Sequence, residues 1–313
     1  MSFTRWLSNP LGLSPRSVSR RKTPAARPTF RPTLEALENR WVPSTLTVLN
    51  NLDSGAGSLR ADIAAAKNND TIVFAPSLNG QTITLTSGEL VINKNLKIQG
   101  PGASQLAISG NYQLWAGVPT GVRVFEVDAV TATIAGLTIR DGNAPTNGAP
   151  TYGGGGGILN WGGNLTVKDC TLSNNHGSEG GAIANLGSLT VSGCTLSANT
   201  AYDGGGIYNE YLSNATVTDS TISSNSGRVT PQGSWGPYGH GGGIYNGGWM
   251  TLSGATVTNN TCDLGGGIYE DTYASLSIQH KSKVSGNYYA DLYLAFGASP
   301  VKISADSYVG GGW

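Results

Sequence analysis

The chain has 313 residues, of which 46 are glycine and only 12% are charged, and its formal charge is zero. Glycine at about twice the usual ~7% excludes an ordinary helical protein, and the lack of a running G-X-Y triplet excludes collagen. The charge is uneven: residues 1–40 hold eight Arg or Lys against Glu35 and Glu38, leaving the remainder acidic by six charges. Such a body offers no basic face for nucleic acid.

In chain order, residues 1–44 read as a disordered basic leader or export segment, rich in Pro, Ser and Arg and without the residues to build a core. It lacks the apolar centre of a standard secretory signal. Residues 45–70 read as an N-terminal cap with a short helix, in which Ser58 is the N-cap and Leu59, Ile63 and Ala66 share one face. A helix there covers a first coil whose open edge would otherwise pair with another chain. Short alternating strands follow from 71 to 142, and a sharper repeat from 143 to 290, so that 71–305 form one solenoid with a tail at 306–313. No run of ~18 apolar residues occurs, so no transmembrane helix is encoded.

The repeat is carried by Gly-x-Ile. It recurs with isoleucines at 158, 183, 207, 244 and 268, spaced 25, 24, 37 and 24 residues apart. A period near 24 with one long interval is a solenoid carrying a loop insertion. Each period adds a second strand, such as Leu165-Thr166-Val167, and a third that ends in Asn three residues after an aliphatic, as in Leu172 and Asn175 or Leu196 and Asn199. Three strands and three corners per period predict an all-β fold, a parallel β-helix of three sheets around an aliphatic core. In it Cys170, Cys194, Ser220, Ala255 and Ser282 share one small inward column, which makes the thiols structural. No CxxC pair or zinc-spaced His accompanies the three cysteines. The strand-end Asn and corner Gly are read as positions that tolerate left-handed backbone.

Gly180-Gly181-Ala182-Ile183 resembles the GGA[I/L/V] half of the polymorphic outer membrane protein repeat, and Leu172-Ser173-Asn174-Asn175 its FxxN half with Leu for Phe. The segment from Gly57 through Asp70-Thr71-Ile72-Val73-Phe74 resembles the opening of bacterial right-handed parallel β-helix proteins. Leu34-Glu35-Ala36-Leu37-Glu38-Asn39-Arg40 with Pro43-Ser44 is similar to a segment near the start of predicted secreted members. The resemblance implies a right-handed parallel β-helix of pectin-lyase-like shape and export to an extracellular, cell-surface or outer-membrane-associated location. Members often end in a membrane β-barrel; only some 25 residues follow Asn287 here, against eight strands of ~10 residues. The expectation is therefore secretion or anchoring by a partner.

Chemistry is sought where loops and polar residues converge. Insertions at Asn143–Gly155 and Gly227–His240 enter the same corner, just before the Gly-x-Ile strand. Four residues before successive isoleucines stand Glu179, Asp203 and His240, with His176, Tyr202, Trp235 and Tyr238 on the same side. Stacked carboxylates raise one pKa, or invite a calcium ion at Glu179 and Asp203, and a general acid and base are conceivable. The alternative is a corner that is simply solvated. Beside it Tyr208, Tyr245 and Tyr269 point outward on consecutive coils, suiting sugar rings or a protein partner, or else stacking on one another. The expected function is an adhesion or interaction module, with glycan the favoured ligand. A polysaccharide lyase or glycoside hydrolase, or a structural envelope protein, are the alternatives. Lyases need clustered Lys or Arg, and Lys168, Arg228, Lys281 and Lys283 are scattered in sequence.

Overall fold

A computed structural model describes residues 43–116, 118–144, 154–228 and 238–311; residues 1–42 of the 1–44 leader, Trp235 and most of the two insertions at Asn143–Gly155 and Gly227–His240 lie outside them. The chain winds into three parallel sheets of ten, nine and eight strands, in which each strand pairs with its counterparts one coil before and after. The first sheet begins at Thr45–Val48, paired with Asp70–Phe74, and the second ends at Tyr308–Val309. The stack thus extends at both ends beyond the 71–305 span.

The core follows from the register. Ile158, Ile183, Ile207, Ile244, Ile268 and Leu292 stack on consecutive coils of the third sheet. Val167, Val191, Val217, Leu252 and Ile278 stack in the first. Like residues on like bury a continuous aliphatic column, which no single coil could do alone. The helix spans Leu59–Ala65 with Ser58 as N-cap, and buries Leu59 and Ile63. It takes the place of the second- and third-sheet strands in the first coil, and Lys94 caps its last turn by donating to the carbonyls of Ile63, Ala64 and Ala66.

Two features depart from the sequence reading. Asn175, Asn199, Asn225, Asn260 and Asn287 are not the left-handed residues. Those sit one position earlier, as at Asn174 (φ 53°), Ala198 (φ 55°) and Asn259 (φ 55°). The turn there swings the following Asn inward, where each Nδ2 donates to the Oδ1 of the next coil at 2.9–3.0 Å. Asp291 Oδ1 closes this column by accepting from Asn287. A second buried amide column, Asn160, Asn185, Asn209 and Asn246, runs along the third sheet and ends on Glu270.

The other departure is a third insertion. Gln113–Trp115 pairs antiparallel with Val118–Thr120, between the second-sheet strand Leu106–Ser109 and the third-sheet strand Phe125–Asp128. It enters at the same corner as the two insertions already recognised.

Candidate functional site: an acidic corner and the third-sheet face

Glu179, Asp203 and His240 meet at that corner. Each lies four residues before an inward isoleucine, so the shared register brings them onto consecutive coils. Glu179 bridges to Asp203 in parallel, and the Gly204 N–H donates to the His240 carbonyl at 2.9 Å. Asp203 Oδ1 accepts from the His240 backbone N–H at 2.8 Å and lies 2.8 Å from Nδ1 of the same ring. An ionised carboxylate only accepts, so Nδ1 is the donor in this contact. Burial, reinforced by the Glu210 and Asp203 carboxylates, pushes Glu179 up to about 7. Among the described residues no three His, Cys, Asp or Glu side chains converge to hold a metal ion; calcium at Glu179 and Asp203 would find two protein carboxylates there.

The tyrosine column forms as its spacing requires and gains a fourth member. Tyr208, Tyr245, Tyr269 and Tyr293 stack with ring centroids 4.7, 5.5 and 5.3 Å apart and planes within 10°. It is not an open platform at its first position. Tyr208 is only 8% exposed, because Tyr245 covers one ring face and Glu210 Oε2 accepts from its hydroxyl at 3.0 Å. Tyr245 donates to Asp271 Oδ2 at 2.6 Å. Burial and these carboxylates raise both phenols well above the ordinary tyrosine value. The His240 ring lies 4.5 Å from that of Tyr269, so the acidic corner and the column are continuous.

The family described as a right handed beta helix region matches residues 79–288, more than half of the chain. The chain belongs to the right-handed β-helix family. No curated protein matches it. The β-helix architecture accounts for how the corner is built: glycines turn the backbone and isoleucines anchor it.

Of the other expected residues in this β-helix, Tyr202 lies beneath the Arg228 guanidinium, 5.2 Å from its ring centroid. Tyr238 is 56% exposed. His176 stacks on Tyr112 of the unforeseen hairpin insertion at 3.7 Å, and burial lowers its pKa. Arg228, scattered in sequence, is thus held on the ring of Tyr202, the residue before Asp203. Glu210 and Asp271 were missed. Both stand two residues after a tyrosine of the column, and period-two alternation puts such residues on the same face. The corner therefore presents a carboxyl that is half-protonated near neutrality and a carboxylate-oriented imidazole.

Proposed function

We propose that this β-helix is an exported module of the cell surface or extracellular space that recognises a polysaccharide across the third-sheet face. The resemblance to polymorphic outer membrane protein repeats and to pectin-lyase-like β-helices supports export and a glycan ligand. The observation that carries the reading is the run of Glu179, Asp203 and His240 on three consecutive coils, flanked by stacked tyrosines. Such a row matches a ligand with regularly repeating polar groups. The exposed Tyr238 supplies a ring face, a part that neither the buried Tyr208 nor Tyr269, stacked between Tyr245 and Tyr293, plays.

One observation favours a second reading, a glycoside hydrolase or polysaccharide lyase. The Asp203–His240 pair has the geometry of an oriented general base, and Glu179, up to about 7, is suited to a general acid.

Titrating the purified protein against pectate, alginate, xylan and hyaluronate, with product release followed in the same samples, separates the two. The module reading expects saturable retention without product, weakened by Glu179→Gln together with Asp203→Asn. Product release abolished by those substitutions establishes the enzyme reading. Neither retention nor turnover on any of the four polymers counts against both.

A further inference from the structure

On the first sheet, away from the acidic corner, the outer face carries a groove of about 370 Å³, within the roughly 300–1,000 Å³ range of small-ligand sites. Its floor is an ordered array. Asn214, Trp249 and Ser275 occupy one register column on three consecutive coils. Thr216 and Thr251 stand two residues further along their strands. Adjacent coils are about 4.8 Å apart, and residues i and i+2 about 6.7 Å. The indole is 47% exposed, with an amide and a hydroxyl on either side of it and a row of threonine hydroxyls beside it.

The corner above the groove is built around this indole. The Trp249 coil turns through Gly247–Gly248, and a Cβ at Gly248 would meet Ser213 O at 2.2 Å. No side chain stands there. Tyr211 and Tyr273 reach over it from the coils on either side, with ring centroids 6.4 Å apart and planes at 66°, and they are 56% and 79% exposed. The acids next to these tyrosines face the other way, Glu210 accepting from Tyr208 and Asp271 from Tyr245 on the third sheet. The groove lining has one charged side chain, Lys302.

From this lining we infer a second site, one that binds an uncharged polysaccharide along the first sheet, with a sugar ring on Trp249 and neighbouring units under Tyr211 and Tyr273. Exposed aromatic faces take the C–H faces of sugars, while the amide and hydroxyls pair with their hydroxyl groups. Acidic glycans would meet only Lys302. A protein partner would call for a broad apolar centre, whereas this floor is one indole among small polar groups. The site does not rest on the function proposed for the acidic corner.

Affinity electrophoresis of the full chain through gels holding soluble β-glucan, neutral xylan, mannan or amylose tests it, with pectate as the charged comparison. Retardation by at least one neutral polymer is expected, exceeding that by pectate. Trp249→Ala and Tyr273→Ala should each weaken it by about ten-fold or more, of order 1.4 kcal/mol, with unchanged melting temperature, since both side chains are exposed. Trp249→Ala should weaken retardation by the neutral polymer and leave any retention by pectate unchanged, and that contrast distinguishes failure of this site from failure of the acidic corner. No retardation by any neutral polymer, retardation indifferent to both aromatic substitutions, or capture of protein in place of glycan would each overturn the inference.

Discussion

Asn246 Nδ2 donates to Glu270 Oε2 at 2.8 Å, and there the amide column that begins at Asn160 stops on a carboxyl group. Every amide before it donates to the next coil, so the last member needs only to accept. That arrangement carries a pH dependence. Burial raises Glu270, the bond from Asn246 opposes this and Asp271 adds to it, with a net rise from 4.5 to about 7. Its Oε1 is buried without a partner. Between those two pH values the folded chain binds more protons than the unfolded one, so stability falls as pH rises, by roughly 3 kcal/mol for this group. Glu179 adds to the fall in the same window. The melting temperature should drop between pH 5 and pH 8, and Glu270→Gln should remove about half of the drop, Glu179 carrying the other half. A wild-type melting temperature that climbs through that range would contradict the assignment.

Interrupting the other column should be more costly than its single side chain suggests. Asn225 Oδ1 accepts from both the backbone and side-chain nitrogens of Asn199, and its Nδ2 donates to Leu196 O and to Asn260 Oδ1. Asn225→Ala takes the acceptor from the buried Asn199 backbone N–H and a donor from Leu196 O, while Asn260 Oδ1 keeps the backbone N–H of residue 225, at a cost of about 3 kcal/mol. Asn214→Ala, on the exposed face, should stay within about 0.5 kcal/mol. Urea unfolding of the two variants provides the comparison.

The β-helix was legible because its register is written in the sequence: identical residue types at a period of 24 define the inward columns, and Ile183, Ile207 and Ile244 do stack. The same logic brought Glu179, Asp203 and His240 together. What could not be read depends on how side chains turn and fill space. The strand-end Asn was taken for the left-handed residue, whereas the left-handed turn belongs to its predecessor and aims the Asn into the core. Tyr208 points outward as alternation requires, yet Tyr245 and Glu210 close over it. The hairpin at Gln113–Thr120 escaped because its coil precedes the regular Gly-x-Ile repeats, leaving no fixed interval to expose an insertion.

Gly205 tests how closely the coils approach at the corner. A Cβ there would meet Gly242 O at 2.4 Å and Ser226 O at 2.6 Å, both backbone atoms of the adjacent coil. Gly205→Ala must therefore push two coils apart, at a cost of at least about 3 kcal/mol. Gly162 has φ +67° but nothing within 4 Å of its Cβ position, so Gly162→Ala should lose only the left-handed penalty of about 1–2 kcal/mol. Equal losses in urea unfolding would show that backbone conformation, and not coil spacing, governs these corners.

Cys170 and Cys194 stack in the inward column, where the Cys170 N–H donates to Cys194 Sγ at 3.4 Å and the Cys194 N–H to Ser220 Oγ at 3.0 Å. Cys194 Sγ also lies 3.3 Å from Ser192 O. One coil on, Ser220 Oγ makes the equivalent bond to Thr218 O at 2.8 Å. A serine is therefore already accommodated in this column, with the same carbonyl two residues back and the same N–H from the preceding coil. Cys194→Ser should change stability by less than about 1 kcal/mol, whereas Cys194→Val removes the acceptor, strands the Cys170 N–H, and should cost about 1–3 kcal/mol. The contact with Cys194, together with burial, also holds the Cys170 thiol protonated, and burial pushes Cys262 up to about 12. The contact with Cys170 lowers the Cys194 thiol, so burial alone shields that one, and all three should resist a thiolate-selective reagent in the folded protein and react together on unfolding. Rapid labelling of Cys170 or Cys194 in the native state, or a serine variant as unstable as the valine one, would contradict a purely packed role for this column.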